Sequence, residues 1–318
     1  MCVLQIRRMA ALLVLSLAMP FALEAQGADY YMAEAKSALQ YFEYGKALKW
    51  MKKAIKEEPE NADLLVQRSR LYLEMEKSKK AKKDLDAAFE LDSMHAEAWI
   101  GLGNYYRAKE KLDTAKQIIK VALSLADESN VMAMAHNAKA EILVIEGEDS
   151  LALYHFEEAV KLDTAYIRPL KGSAMLLSKM DRHAEANVRL IRAYSYDRFD
   201  LEILVNIAYT FNQIGRYDDA LDFSNYALEL DPRHPITLNN RAFAHKELEM
   251  LEEALSDIKR SLANDGTNPL TYRYAGDIYA LKKDDDKACK HYKQAEKYGY
   301  SEAFGVDLEE IISKHCPN

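Results

Sequence analysis

Histidine is the residue type in this chain with the widest chemistry, because a neutral imidazole binds metals and transfers protons near pH 7. The eight histidines stand at His95, His136, His155, His183, His234, His245, His291 and His315. None of them forms the His-Glu-x-x-His spacing that zinc hydrolases carry on one helix. His136 and His245 lie among apolar residues at helical spacing, which favours a packing role. The histidines therefore predict no metal centre and no catalytic base.

Three acids and two cysteines near the C-terminus are the other candidates for chemistry. The acids Asp284–Asp286 can bind a cation, but they stand at the predicted start of a helix, where carboxylates interact favourably with the helix dipole. Cys289 and Cys316 can form a disulfide if the final helix runs antiparallel to the one before it; otherwise they are free thiols. The sequence has no phosphate-binding glycine motif and no nucleophile elbow. We therefore expect no enzyme, no metal and no cofactor.

Regularly spaced alanines indicate the elements that position these residues. Successive alanines are separated by 34 residues, except for one step of 37, at Ala47, Ala81, Ala115, Ala152, Ala186, Ala220, Ala254 and Ala288. A fixed period of 34 indicates an array of helix–turn–helix repeats. With each alanine numbered as position 20 of a repeat, positions 8 and 27 are also small, and positions 4, 11 and 24 are mostly large. The spacings i, i+4, i+7 predict two amphipathic helices in each repeat.

Two repeats carry further residues at fixed positions. The repeat at 201–234 has Gly215, Tyr217, Ala220, Ala227 and Pro232, and the repeat at 96–129 has Trp99, Leu102, Gly103 and Tyr106. This pattern resembles the tetratricopeptide repeat family. The resemblance implies an all-α, right-handed superhelical solenoid in which the first helix of each repeat lines a concave groove.

The period also divides the chain into segments. Eight repeats over 28–302 are predicted at 28–61, 62–95, 96–129, 133–166, 167–200, 201–234, 235–268 and 269–302. The three extra residues Asn130–Met132 are expected to lengthen one turn or helix end. The remaining segment, 303–318, is predicted to form a capping helix over Ala303–Cys316, because repeat arrays need a polar outer face at their ends.

The N-terminal segment 1–25 has the layout of a secretory signal peptide. Arg7 and Arg8 precede an apolar run, Ala10–Leu23, whose 14 residues fall short of the ~20 that span a bilayer. The mature chain is expected to begin at Gln26 and to have no stable membrane span. We therefore expect an exported protein, periplasmic or extracellular and from a bacterial envelope; an uncleaved segment would instead tether it to the membrane. The net charge of −8 argues against nucleic-acid binding, which needs cations to neutralise phosphate.

The groove that the family resemblance implies holds the candidate binding residues. In that family, positions 2, 5, 9, 12 and 13 face the groove, and position 9 of repeats five to seven is Met175, Tyr209 and Phe243. Their predicted neighbours are Arg168, Lys171, Asn206, Asn212 and Asn239. An apolar stripe flanked by amides and cations suits a peptide or a partner helix; alternatively, these residues pack against adjacent repeats.

The expected function is that of a non-catalytic, exported scaffold that binds a protein or peptide. The alternatives are a glycan or small-molecule binding module and a membrane-tethered envelope assembly factor.

Overall fold

The computed structural model describes residues 27–41, 43–305 and 307–316, and these residues form helices and turns without any strand. The predicted signal peptide, 1–25, lies outside the described residues, so its existence stays a prediction. Among the described residues, no helix is both long and apolar enough to cross a membrane.

Each predicted repeat corresponds to two helices in the structure, as the period requires. The helices of the first unit are α1 (Ala28–Gln40), α2 (Tyr44–Glu57), α3 (Ala62–Glu74), α4 (Ser78–Leu91), α5 (Ala96–Arg107), α6 (Leu112–Leu125) and α7 (Ser129–Glu146). Those of the second are α8 (Asp149–Leu162), α9 (Ile167–Lys179), α10 (His183–Tyr196), α11 (Leu201–Gln213), α12 (Tyr217–Leu230), α13 (Pro235–Glu247), α14 (Leu251–Asn264), α15 (Pro269–Leu281), α16 (Asp285–Lys297), α17 (Tyr300–Phe304) and α18 (Glu309–His315). The all-helical solenoid predicted from the period is confirmed.

The chain divides into two compact units, one up to Glu148 and one from Asp149 onward. The boundary falls in the turn of the fourth repeat, where the prediction had one continuous array. Within the first unit, α1 packs against α2, α3 against α4 and α5 against α6; within the second, α9 packs against α10, α11 against α12, α13 against α14 and α15 against α16. Consecutive helices thus pair as antiparallel hairpins, which short connections enforce.

The small residues of the repeat lie where two helices cross. Every residue at positions 20 and 27, from Ala47 to Ala295, is fully buried. At position 8 of the last repeat even a methyl group has no room, because a Cβ added to Gly276 would lie 2.5 Å from the ring of Tyr292. Tyr292 is the large residue at position 24 of the same repeat, so small and large residues alternate to fill the space between the helices. The packing role predicted for these positions is confirmed.

The turn inside each repeat has a left-handed backbone at position 15. In the seven repeats whose position 15 is described, φ lies between 57° and 79°. Only two of these residues are glycines, Gly147 and Gly215; the other five are Glu76, Glu110, Asp181, Glu249 and Lys283. A side chain with a Cβ is strained in this conformation, so most repeats form the turn at a cost in stability.

The irregular step of 37 residues is absorbed by one long helix. α7 has 18 residues, whereas the first helices of repeats two and five, α3 and α9, have 13 each. The extra residues extend its N-terminal end to Ser129. The predicted lengthening of a helix end is therefore what the structure shows.

The C-terminal cap differs from the single helix predicted over 303–316. The chain forms α17, turns at Gly305 with φ of 64°, and then forms α18 from Glu309. Leu308, at the start of α18, is fully buried against Ala295 and Tyr300 of the preceding elements. The break follows from Gly305, whose left-handed backbone ends a helix at little steric cost. Val306 lies outside the described residues.

A disulfide joins the cap to the last repeat. Cys289 of α16 and Cys316 after α18 are bonded, with their Cα atoms 5.0 Å apart. Nearby, His315 Nδ1 lies 2.6 Å from Asp285 Oδ1. Asp284, in the acidic run, accepts a hydrogen bond from the backbone N–H of Lys287 at 3.2 Å and thereby caps α16 at the position where the sequence predicted a helix start.

A histidine caps helix α13. The backbone N–H of Thr237 donates to Nδ1 of His234 at 3.3 Å, which requires an unprotonated nitrogen. Burial lowers the pKa of His234, although the charge of Asp231 opposes this. A folded-state pKa below the unfolded value of about 6.5 means that the unfolded state takes up the proton first. This contribution to stability is therefore complete above that pH and falls away as the pH drops.

We predict that a His234→Asn variant loses less thermal stability than the wild type between pH 7.5 and pH 5.5. Asparagine is a good N-cap that does not titrate in this range. The check is the melting temperature of both proteins at both pH values, by circular dichroism. Equal decreases in melting temperature would show that this cap does not titrate with the fold.

Candidate functional site

The first helices of repeats five to seven, α9, α11 and α13, carry the predicted binding positions. Position 9 of α9 is Met175, whose side chain is 57% exposed, and position 9 of α11 is Tyr209, which is 38% exposed. Met175 and Tyr209 thus expose apolar surface at equivalent positions of successive first helices, and exposed apolar patches mark interaction sites. These two side chains define what we call the Met175–Tyr209 surface.

Tyr209 is held in place from one side. The ring of His183, the first residue of α10, meets the Tyr209 ring edge-on with 5.8 Å between centroids. Burial raises the pKa of Tyr209, and the nearby charge of Asp181 raises it further. The phenol is therefore neutral at physiological pH and can both donate and accept a hydrogen bond.

Phe243 differs from its two counterparts. It is half-buried, and its ring centroid lies 6.3 Å from that of Tyr217 and 5.4 Å from that of Tyr274. Lys246 Nζ lies 4.6 Å from the same centroid. Phe243 therefore packs between repeats six and eight, which is the alternative that the sequence left open for the stripe.

Lys171 connects repeats five and six rather than presenting a free charge. Its Nζ donates to Asp200 Oδ2 at 2.9 Å and also pairs with Glu202. Burial disfavours the ammonium, but the hydrogen bonds to Glu202 and Asp200 outweigh it and raise the pKa of Lys171. Asp200 in addition accepts from the backbone N–H of Ile203 at 3.1 Å and caps α11. The cation beside the Met175–Tyr209 surface is thus neutralised by two carboxylates.

Two predicted site residues are not on the surface. Asn212 and Asn239 are both buried. Asn212 Nδ2 donates to the backbone O of Asn240 at 2.8 Å, and Asn239 Nδ2 donates to Thr271 Oγ1 at 2.8 Å. Their amides link one repeat to the next and lie in the interior rather than on the surface that the sequence predicted for them. Of the remaining predicted neighbours, Arg168 is exposed and Asn206 is half-exposed.

The eighth repeat closes the series with a polar cluster that the sequence did not single out. Arg273 Nε donates to Asp277 Oδ1 at 2.8 Å, and the hydroxyl of Tyr292 donates to the same oxygen at 2.9 Å. Asp277 occupies position 9, where the earlier repeats carry Met175 and Tyr209. The apolar surface therefore ends before α15.

Two internal ion pairs also escaped the sequence analysis. Arg241 makes a bidentate pair with Asp257, at 2.7 Å from Nε to Oδ2 and 2.6 Å from Nη2 to Oδ1. Arg68 and Asp84 form the same pair in repeat two, with both bonds at 2.7 Å. In each case arginine at position 7 of the first helix meets aspartate at position 23 of the second. Both pairs occupy the same two repeat positions, 7 and 23, and this recurrence is the one signal in the sequence that could have predicted them.

The acids near this surface are engaged in hydrogen bonds and ion pairs. The carboxylates Asp200, Glu202 and Asp277 are all contacted by cations or hydroxyl groups. Within the described part of the chain, histidine, cysteine and acidic residues form no group suited to hold a metal ion. The exposed apolar side chains of Met175 and Tyr209 therefore lie beside ion-paired groups.

Family models describe part of this chain. Residues 66–130 match one model of the tetratricopeptide repeat, and residues 201–234 match another. Among curated proteins, the DnaJ homolog subfamily C member 7 homolog of Schizosaccharomyces pombe is 28% identical over 188 residues, covering 54% of this chain and 39% of that protein. The chain therefore spans well under half the length of this relative.

Solved structures share the fold. The Cut9–Hcn1 hetero-tetramer of the APC/C superposes with a TM-score of 0.73 at 17% identity, over 93% of this chain and 57% of that one. Pseudomonas aeruginosa pilF gives 0.56 at 21% identity, over 70% and 98%. A tetratricopeptide repeat protein from Parabacteroides merdae gives 0.52 at 19%, over 80% and 96%. The chain thus shares the helical repeat fold of these structures, and two of its segments match models of the tetratricopeptide repeat.

Proposed function

We propose that this protein is an exported, non-catalytic scaffold that binds an extended peptide segment of a partner protein on the Met175–Tyr209 surface. The fold is one that commonly serves protein–protein interaction. The observation that carries the proposal is the exposure of Met175 and Tyr209 at the same position of α9 and α11. Methionine and tyrosine are enriched at the centres of interfaces, and tyrosine contributes its contact area at low entropic cost.

The chemistry of the two side chains suggests what the peptide presents. Met175 and Tyr209 offer apolar contact surface at equivalent positions of α9 and α11, so we expect the peptide to carry apolar side chains. The neutral hydroxyl of Tyr209 adds one hydrogen bond to the peptide backbone. Lys171 with Asp200 and Glu202 carries one net negative charge, which does not favour a strongly acidic segment.

The binding surface is tested with peptides selected from a random display library on the wild-type protein. We expect the selected peptides to lose at least about tenfold in affinity, roughly 1.4 kcal/mol, for a Met175→Asp, Tyr209→Ala double variant. The matched control is Asp222→Ala, an exposed change on α12, which should leave the affinity unchanged. Peptides that bind the double variant as tightly as the wild type would refute the role of this surface.

Export and the partner are tested in the native cell. Amino-terminal sequencing of the mature protein is expected to begin at Gln26. A photoreactive amino acid at position 175 is expected to give an adduct with one protein, and the same probe at position 222 is expected to give none. A chain that still begins at Met1 would favour the membrane-tethered alternative.

A further inference from the structure

Two neighbouring repeats carry apolar side chains at positions of the second helix that are otherwise charged or polar. Positions 19, 22 and 25 of the repeat point outward, and among the described residues these positions hold four apolar side chains. All the others are charged or polar, such as Lys49, Lys83 and Lys290 at position 22. The four exceptions belong to repeats four and five and are Leu151, Tyr154, Val188 and Ile191. We call them the outer patch.

The outer patch is exposed on two helices of the same unit. Val188 of α10 is 67% exposed and Tyr154 of α8 is 52% exposed. The two helices are joined beside the patch, where Arg189 Nη2 lies 2.8 Å from Glu157 Oε1. Other positions of the same helices, such as Ala152 and Ala186, are fully buried and fill the contacts with the core.

The rim of the patch carries both signs of charge. Glu185 pairs with Arg182 at 2.7 Å, Glu158 pairs with Lys161 at 2.7 Å, and Glu157 pairs with Arg189. Arg192 of α10 adds one more cation, which donates to the backbone O of Thr164 at 3.4 Å. Because most of these cations are paired with acids, the rim attracts an anionic lipid surface only weakly, since such a surface selects unpaired cations. A rim with both signs suits a second copy of this chain, since a two-fold axis can bring the acids of one copy to the bases of the other.

We propose that the outer patch is a self-association surface, on which a second copy of this chain docks about a two-fold axis near Val188. α10 carries Glu185 about one turn before Val188 and Arg192 about one turn after it. When two copies of α10 cross antiparallel at Val188, Glu185 of each copy faces Arg192 of the other. The four apolar side chains of each copy then form the centre of the interface, and the charged residues form its rim.

The affinity of this contact is modest. Four apolar side chains a copy are few compared with the 20 to 30 residues a side of a standard interface. The expected dissociation constant is of micromolar order, so that the dimer forms where the protein is concentrated. This association does not depend on the Met175–Tyr209 surface, because it uses the second helices of the repeats instead of the first.

Sedimentation velocity over a range of protein concentrations tests the proposal with the full mature chain. The wild type is expected to shift from monomer to dimer as its concentration rises. Val188→Lys, which gives repeat five the residue that repeats one, two and eight carry at position 22, is expected to raise the dissociation constant at least about tenfold. Ser256→Lys, at position 22 of repeat seven, is the matched control and should dimerise like the wild type.

A charge exchange tests the two-fold arrangement itself. Glu185→Lys alone is expected to weaken the dimer, and Glu185→Lys combined with Arg192→Glu is expected to recover most of the affinity, because each charge again faces its opposite. A wild type that stays monomeric at every concentration overturns the proposal, and so does a Val188→Lys variant that dimerises unchanged. A dimer that responds to Val188→Lys but not to the charge exchange overturns the proposed axis.

Discussion

Replacing Asp257 with alanine is expected to lower the free energy of unfolding by about 3–5 kcal/mol, the cost of leaving a buried ion-pair partner uncompensated. Asp257 is 2% exposed and takes both hydrogen bonds of the Arg241 fork. Without it, the guanidinium keeps only its bond to Asn225 Oδ1, at 2.7 Å. Guanidinium denaturation measures the change, with hydrogen exchange to locate the loss in repeats six to eight.

A surface pair is the matched control for this prediction. Arg216 and Asp219 lie 2.7 Å apart but are largely solvated, so Asp219→Ala should change stability by less than about 1 kcal/mol. Replacing both partners of the buried pair, as Arg241→Met with Asp257→Leu, should recover most of the loss, because no charge is then left buried without a partner. Equal effects of Asp257→Ala and Asp219→Ala on the free energy of unfolding would show that burial does not determine how much an ion pair contributes to stability.

Glycine at the five strained turn positions is expected to stabilise the protein by about 2–4 kcal/mol in total. Each of Glu76, Glu110, Asp181, Glu249 and Lys283 has a left-handed backbone, which costs a residue with a Cβ about 1–2 kcal/mol. The greater freedom of glycine in the unfolded chain takes back about 0.5–1 kcal/mol at each position. The gains should add, since the five sites lie in separate repeats and share no contacts.

Alanine substitutions separate the backbone effect from the side-chain effect. Glu76→Ala and Glu249→Ala keep the Cβ and should give no gain, and Gly215→Ala should destabilise by about 1 kcal/mol. Denaturation midpoints at constant m-value provide the measurement. If the alanine variants gain as much as the glycine variants, the loss of charge and not the relief of strain is the cause.

The repeat period predicted the packing residues well, because helix crossings admit only small side chains and every repeat meets the same requirement. It failed where one repeat differs from its neighbours. Asn212 and Asn239 occupy positions that face the groove in related proteins, yet here their amides bond across to the next repeat. Burial of Asp257 escaped notice because its arginine partner lies 16 residues earlier on the other helix. The period shows that arginine at position 7 and aspartate at position 23 recur in two repeats, but it does not show that these two positions stand opposite each other.

The outer patch and the Met175–Tyr209 surface both show that side-chain exposure cannot be predicted from the repeat period alone. The sequence singled out Met175 and Tyr209 because they lie outside the packing positions of the repeat, and the structure shows them exposed. Phe243 occupies the same repeat position, but it is half-buried because Tyr217 and Tyr274 flank it. The sequence also contains the apolar residues at positions 19, 22 and 25, but only the structure shows that they are exposed.

The disulfide between Cys289 and Cys316 changes how this chain unfolds under a mechanical force. Solenoids lose their terminal elements first, because each element contacts only its neighbours. Cys289 and Cys316 are 27 residues apart in the sequence, and their disulfide closes a covalent loop. A force applied at the C-terminus therefore bypasses α17 and α18 and acts on α16 at Cys289. Unravelling from that end, by an unfoldase or a processive protease, has to begin inside a complete repeat.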